Sequence, residues 1–411
     1  MTRPLPGSGA LGTGTFGAVV VGGGPAGLTA AIALAGAQVP TALIAGRPRP
    51  ADNRTTALLA SSVTALDTLA VWQRCRAQAA PLRVMRIIDD TGRLLRAPEV
   101  RFEAAEIGLE AFGYNIDNRH LIAAMAERAR EIAALELIAQ DAVDISISAD
   151  AVSITLDDGN RVVAALAVAA DGSRSPCRKA AGIETEGWSY PQTALTLTLR
   201  HSRPHHDIST EFHRPSGPFT LVPLPGLRSS LVFVTDPDDA ARVGALPDDE
   251  LAAEIEQRAH SILGKIELEP ERGVFLLKVE RARSLGARRV ALVGEAAHVI
   301  PPIGAQGLNL GLRDAATIGE LVAPAHRAGH DPGADDLISR YVEMRRADVT
   351  SRTLAVDLLN RSLLSDFLPL QGVRGLGLTL LQQFGPLRRA AMREGVAPSS
   401  AQPRLMRGEA L

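Results

Sequence analysis

The stretch AVVVGGGPAGLTAAIALAGA, Ala18 to Ala37, constrains the fold of this chain more than any other. It is uncharged and just long enough to cross a bilayer as a helix. Three glycines and a proline near its start argue against that reading. It is better read as strand, turn and helix: a β-branched run from Ala18 to Val21, the spacing G-x-G-x-x-G at Gly22, Gly24 and Gly27, and a small-residue helix from Ala26 to Ala35. A second strand, Gln38 to Ile44, follows at βαβ distance. The glycines permit the tight turn, the approach of a pyrophosphate to the helix N-terminus, and close helix–strand packing. Dinucleotide binding is the expectation. An acid that would hold an adenosine ribose at the end of the second strand is missing, because Ala45 and Gly46 stand there. Arg47 is a candidate near the adenosine; it reads equally well as a solvated loop arginine.

A second stretch, GEAAHVIPPIGAQGLNLGLRDA, runs from Gly294 to Ala315 after the apolar run Val290–Val293. It reads as a buried strand, a stiff Pro-Pro turn and a helix that opens on glycine-rich backbone. The first turn of a helix carries unpaired N–H groups and the positive end of the macrodipole. An anion or a polarised ring at that helix start is one reading, and a tight connection without a ligand is the other. A third stretch, LAVAADGSRSPCRKAAGI (Leu166–Ile183), ends a buried strand on Asp171-Gly172 and begins a short helix. A carboxylate at a strand's carboxyl end sits where α/β folds place ligands, but an Asp there also serves as a helix cap.

The rest of the chain sets these stretches in order. Its 411 residues, 46% hydrophobic, suffice for a large core and two domains, and the domains read as interleaved. Arg54 to Leu58 opens a helical pattern through Leu69, which would set a cation before a helix start, for phosphate or for solvent. Leu82–Asp89 reads as a strand, and Asp117-Asn118 as the N-cap of a helix from Arg119 to Ala134. Val143–Ile147, Val152–Leu156 and Arg161–Ala165 alternate as strands, with a hairpin at Asp158-Gly159. From Thr193 to Asp236 the period switches to two, marking an antiparallel sheet inserted into the first domain. His201, His205, His206 and His213 fall there, without the carboxylate-and-His arrangement of a metal site; they are expected to be solvated. Pro237–Gly264 is charged and helical, and everything after residue 331 reads as helix.

Composition excludes several classes. There are 44 basic and 46 acidic residues, a net charge of −2, so no nucleic-acid footprint is expected. Cys75 and Cys177 stand alone, which points to a reducing compartment and to no thiolate metal site. Residues 1–15 lack an apolar h-region and read as a flexible tail rather than a secretory signal.

Together, in one order, the three stretches resemble the single-component FAD aromatic hydroxylases, the group that includes para-hydroxybenzoate hydroxylase. Arg54-Thr-Thr-Ala-Leu, Tyr114-Asn-Ile-Asp-Asn, GPFTLVPLP (Gly217–Pro225) and QGLNLGLRDA most resemble the ubiquinone-biosynthesis hydroxylases within it. The resemblance covers residues 18 to about 395. It implies an α/β fold: a Rossmann-like FAD-binding domain, an interleaved antiparallel substrate domain and C-terminal helices. The implied divisions are a tail 1–17, FAD-binding parts 18–80, 118–182 and 281–330, substrate parts 81–117 and 183–280, and helices 331–411.

The family's roles carry over as implications. Gly22, Gly24, Ala26 and Gly27 would bind the FAD pyrophosphate, with Arg54 nearby. Asp171 and Gly172 match the motif linked to FAD and to productive NAD(P)H interaction. Glu295 matches an acid, more often Asp, that hydrogen-bonds the ribityl chain. Pro302 and Gly304, in the turn Pro301–Gly304, would lie beside the isoalloxazine and the substrate. Gln306, Gly307, Leu308 and Asn309 would present helix-start backbone to the flavin O2 side. His298 is expected to pack or hydrogen-bond at the loop. No side chain stands out as an acid or base, and no metal is implied.

The implied reaction is monooxygenation: NAD(P)H reduces the flavin, and O2 supplies the oxygen placed on an electron-rich, polyprenylated phenol of the ubiquinone pathway. Two alternatives stay open, a hydroxylase of a small soluble phenol and a flavin-bearing scaffold of a quinone-biosynthesis complex. The expected location is cytoplasmic, with peripheral attachment to the inner face of the membrane. Leu359, Leu363, Phe367 and Leu370 fall near one helical face. Between Phe367 and Arg393 there is no acid and there are four arginines, Arg374, Arg388, Arg389 and Arg393. Gly372, Gly375, Gly377 and Pro386 interrupt any span. Docking of the same leucines on the FAD domain is the other reading.

Overall fold

A computed structural model describes residues 15–46, 54–92, 97–364, 375, 377, 379–396 and 402–411. Arg47, nearly all of the N-terminal tail, and Phe367, Leu370, Gly372 and Arg374 of the C-terminal segment lie outside the described residues, as does the side chain of Leu363. Strands are numbered in chain order.

Apolar, β-branched runs that are buried on both faces form parallel sheets, and the first sheet follows that rule. It contains β1 (Phe16–Val21), β2 (Thr41–Ile44), β8 (Leu135–Ile138), β9 (Ala142–Ile147), β10 (Val152–Leu156), β11 (Arg161–Ala169), β17 (Gly286–Ala287) and β18 (Val290–Leu292). The order β17-β18-β11-β1-β2-β8 is parallel from β18 to β8. β9 and β10 hang from β11 as an antiparallel ribbon. Helix α1 (Pro25–Gly36) packs on this sheet with almost every residue buried.

The second sheet is largely antiparallel, in the order β19-β16-β12-β15-β14-β13-β5-β6. Its strands are β5 (Val84–Asp89), β6 (Val100–Glu103), β12 (Thr185–His201), β13 (Ile208–Arg214), β14 (Gly217–Leu224), β15 (Arg228–Thr235), β16 (Ile266–Ala282) and β19 (His298–Val299). Period-two alternation divides it into two faces. Leu195, Leu197, Phe212, Phe219, Leu221, Leu231 and Phe233 pack against the helices Pro237–Gly244 and Asp248–Arg258. The intervening residues Thr196, Thr198, Ser209, Glu211, Thr220 and Ser230 line a cavity on the other side.

A third, three-stranded sheet corrects one expectation. Thr55–Leu59 is not the start of a helix but a strand, β3, paired with β7 (Gly113–Asp117), which also pairs with β4 (Ala79–Pro81). The helix begins at Ala60 and ends at Thr68. Arg54 therefore precedes a strand, and its guanidinium lies over the Phe275 ring, 5.8 Å from the centroid. The expectation of solvated histidines holds for His206 alone; His205 is largely covered, bonding the Leu224 carbonyl and accepting the Asp207 amide. His201 and His213 are buried in β12 and β13, where His201 bonds the Arg203 carbonyl and the Ser229 hydroxyl and His213 bonds Glu211.

Helix α8 (Gln306–Arg327) and the long helix α9 (Asp335–Leu364) close the first sheet. Between them lies a buried ionic cluster. Asp314, with no exposed surface, accepts bonds from the Gly294 amide at 3.1 Å, His298 Nε2 at 2.7 Å and Arg345 Nε at 2.7 Å. Arg345 and Arg313 both bond Asp348, at 2.7 and 2.9 Å. Two carboxylates thus face two buried guanidiniums, with Arg352 at the edge of the cluster 3.7 Å from Asp348, so no charge in this interior is left unmet. The C-terminal helix Gly385–Val396 packs Met392 and Val396 against Ala104 and Phe112.

Burial pushes the Asp314 carboxyl up, but His298 and Arg345 outweigh it and hold the group at about 2. A depressed carboxylate stabilises the fold above its unfolded value, about 4, and that contribution is lost as pH falls from there through the folded value. The contribution is on the order of 2 kcal/mol. The melting temperature should therefore drop between about pH 4 and pH 2. In Asp314→Asn that part of the slope should disappear and the protein should be less stable at pH 7 by about 3–5 kcal/mol, since Arg345 and Arg313 then share Asp348 alone and one buried positive charge is left uncompensated. Thermal melts across pH of both proteins check this.

Candidate functional site

The carboxyl ends of β1, β11 and β18 point into one cavity of about 3160 Å³, which continues across the open face of the second sheet. Ligand sites in proteins commonly measure 300–1,000 Å³, so this chamber has room for a dinucleotide and a second molecule.

At its first wall, β1 turns into α1 on Gly22, with φ +118°. A Cβ on Gly22 would lie 2.2 Å from the Ala170 carbonyl oxygen, and one on Gly27 would lie 2.0 Å from that of Gly22. Both glycines are required by the protein itself. Gly24 differs: a Cβ there meets nothing within 4 Å. It caps α1 without a side chain, leaving first-turn N–H groups facing the cavity. Ala26 also lines the cavity, and its methyl touches the positions a Cβ would take on Gly294 and Gly311.

At the second wall, β11 ends and Asp171-Gly172 follows. Asp171 Oδ2 accepts the Cys177 amide at 3.0 Å, a capping bond to the short helix Pro176–Ala180, while its other oxygen is buried without a partner. Arg178 joins this turn to the next one, donating to the carbonyls of Ser173 at 2.7 Å and Ala296 at 2.9 Å.

The third wall is the Pro-Pro loop. Gly294–Ala296 forms a short turn that leaves the Glu295 side chain exposed on the cavity. Pro302, Gly304, Gln306, Gly307 and Leu308 line the cavity beyond it. Gly304 and Ala305 both adopt left-handed backbone, φ +65° and +54°, and Ala305 caps α8 with no side-chain bond. An alanine in that conformation costs about 1 kcal/mol or more. Asn309 offsets it from below, because its amide donates to the carbonyls of Ala305 and Ala57 and its oxygen accepts the Leu59 amide at 2.9 Å. Gln306 Nε2 bonds the Gly304 carbonyl, and its Oε1 is buried without a partner.

Thirteen of the fourteen residues expected at a flavin site therefore line one chamber: Gly22, Gly24, Ala26, Gly27, Arg54, Asp171, Gly172, Glu295, Pro302, Gly304, Gln306, Gly307 and Leu308. Asn309 does not; its buried side chain staples α8 to β3. Sequence reasoning missed Arg178, Asp314 and Arg345, which fix the walls from behind, and Asp141, whose carboxylate oxygen lies 2.7 Å from where a Cβ on Gly46 would be. The open backbone at Gly24 and Gly304 and the orphaned oxygens of Asp171 and Gln306 fit a large, polar, planar cofactor.

The chain matches the family described as an FAD binding domain over residues 16–354. This chain belongs to that family. It is 36% identical over 400 residues to ubiquinone hydroxylase UbiL of Rhodospirillum rubrum, covering 95% of this chain and 92% of that protein. It is 29% identical to 3-demethoxyubiquinol 3-hydroxylase of Escherichia coli, covering 91% and 96%. The fold matches a crystal structure of p-nitrophenol 4-monooxygenase from Pseudomonas putida, with TM-score 0.77 at 19% identity over 92% of this chain and 97% of that one. It also matches a Klebsiella pneumoniae HpxO variant complexed with FAD, with TM-score 0.75 at 19% identity over 93% and 99%. The protein is an FAD-dependent aromatic monooxygenase.

The two kinds of glycine separate cofactor binding from folding. Gly24→Ala should melt within about 0.5 kcal/mol of the native apoprotein yet bind FAD at least tenfold more weakly. Gly27→Ala should lose several kcal/mol of stability as well, because its methyl cannot clear the Gly22 carbonyl. Melts of the apoproteins and FAD titrations by fluorescence check both.

Proposed function

We propose that this protein hydroxylates the aromatic ring of a polyprenylated phenol in ubiquinone biosynthesis, using NAD(P)H and O2. The observation that carries the reading is the continuity of the cavity. It runs from the turn at Gly22–Gly27, past the Pro-Pro loop and the hydroxyl-rich face of the second sheet, to an apolar end lined by Leu59, Met85, Phe102, Phe112, Met392 and Val396. The extent of similarity to ubiquinone hydroxylases supports the substrate class.

FAD, when bound, would carry the reducing equivalents taken from NAD(P)H and supply the activation of O2. The chain's residues bind, orient and exclude water. The N-terminus of α1 and the turn at Gly22–Gly27 hold pyrophosphate. Asp141, beside Gly46, is the acid available where the end of β2 has none. The start of α8, which opens on the cavity without a side-chain cap, would stabilise negative charge on a reduced isoalloxazine through its backbone N–H groups and the positive end of its dipole. Pro301 and Pro302 would stiffen the loop beside the ring and the substrate, and the second sheet would keep water from the reacting positions. Met392 and Val396 bring the C-terminal helix to the apolar end, where a prenyl tail would leave the ring.

Peripheral membrane attachment belongs to the same proposal. Leu354, Leu358, Leu359, Leu380 and Leu387 are exposed on the C-terminal helices, and Phe384 is exposed at the break before Gly385. Among the described residues no helix is long and apolar enough to cross a membrane.

The test presents prenylated and unprenylated phenols in anionic liposomes to the FAD-loaded protein. The expected result is that the protein floats with the liposomes and that the prenylated phenol stimulates NAD(P)H oxidation at least tenfold over the unprenylated one, with hydroxylated product. Stimulation by soluble phenols alone would favour a small-phenol hydroxylase, and flavin binding without any stimulation would favour a scaffold.

A further inference from the structure

The central strands β12 to β15 present to the cavity the hydroxyls of Thr196, Thr198, Ser209, Thr220 and Ser230, interspersed with Val222 and Val232. Among the described residues, strands β12 to β15 contribute one ionisable side chain to the cavity lining, Glu211. It sits in mid-strand on β13, opposite Thr220 on β14 and Ile87 on β5. An acid in the middle of a sheet face is costly unless its charge is met. Here it is met from two sides. His213, two residues along on the same face and 3% exposed, holds Glu211 Oε1 at 2.8 Å through Nε2. The Thr220 hydroxyl donates to Oε2 at 3.3 Å. Because the carboxylate can only accept, His213 places its proton on Nε2.

Burial works to raise the Glu211 carboxyl, but the bonds from His213 and Thr220 outweigh it and leave the group below its usual range, so it stays ionised. Its side chain keeps 21% of its surface open. A carboxylate has about four lone-pair sites, and the two bonds leave capacity facing the chamber. Structural need does not explain this arrangement: an isosteric apolar residue on that face would remove both the desolvation cost and the need for His213 to be buried beside it.

We propose that Glu211 accepts the hydrogen bond of the substrate's phenolic O–H and so fixes which way the ring lies on the sheet. The inference rests on the phenol reading given above. A charge-assisted bond of this kind is stronger than a neutral one and directional. It draws the phenol proton toward the carboxylate without transferring it, which enriches the ring in electrons for attack on an electrophilic oxygen. His213 and Thr220 are positioning residues, since they act through Glu211. On β12 to β15 the neighbours of Glu211 along the cavity are hydroxyls and the apolar Val222 and Val232; the other charged side chains that this sheet gives the cavity, Arg86, Glu269, Glu271, Arg272 and Lys278, stand on β5 and β16.

The experiment compares two probes in the FAD-loaded protein, 2-geranylphenol and its O-methyl ether, which keeps the tail but has no proton to donate. Binding is read from the perturbation of the flavin absorbance. The wild-type protein should prefer the phenol over the ether by about tenfold or more. Glu211→Leu should abolish that preference while leaving the affinity for the ether unchanged. Glu211→Gln, which keeps the shape and a weaker acceptor, should retain part of it, and Thr220→Val should reduce it less. A structural role would instead weaken both probes together. If the wild type binds and hydroxylates the phenol but Glu211→Leu keeps the wild-type preference, or both probes weaken equally, the inference is wrong. If the wild type neither binds nor turns over the phenol, the substrate reading fails, and the inference falls with it.

Discussion

One buried carboxylate holds the site together. Asp314 on α8 ties the loop after β18, through the Gly294 amide and the His298 ring, to Arg345 on α9. These bonds lie under the Pro-Pro loop, which presents left-handed backbone at Gly304 and Ala305 to the cavity. A loop strained in this way keeps its shape only when its surroundings over-determine it. Asp314 supplies that from below, Asn309 from the side of β3, and Arg178 from the turn after β11. The ionic cluster is costly in isolation, but with Asp348 and Arg313 it closes on itself, and it sits where rigidity serves the cofactor.

The site then follows from two helix starts that face one chamber. α1 opens on Gly24 and α8 on Ala305, and neither has a side-chain cap. Unpaired N–H groups left open to a cavity are a cost to the free protein and a benefit once an electron-rich ligand occupies it. The second sheet supplies the opposite wall. Its alternation sends large apolar residues into one core and small polar ones into the chamber, so one strand pattern makes both a stable layer and a binding face.

The parts of this arrangement that are local in sequence were legible. The glycine turn after β1, the parallel-sheet runs and the period-two strands each carry their signal within a few residues. Thr55–Leu59 was not legible, because no turn residue separates it from the helix at Ala60, and its strand character comes from pairing with Gly113–Asp117 far along the chain. The histidines misled for a related reason. In isolation a cluster with Arg and Pro reads as a loop, whereas the alternation Ser209, Glu211, His213 places the last of them buried on the same face of β13 as Glu211. Asp314 resembled any acid on a helix, since its partner Arg345 lies a helix away. Asn309 was expected to serve through its backbone, and its side chain turns out to be the staple.

The central claim, that one flavin is bracketed by the backbone of both helix starts, is tested most directly by backbone hydrogen exchange of the apoprotein with and without FAD, with ADP as the half-cofactor control. The account predicts that FAD protects amides at both Gly22–Gly27 and Gly304–Asn309, and that ADP protects the first segment alone. Protection confined to Gly22–Gly27 with FAD, or equal protection of both segments by ADP, would contradict it.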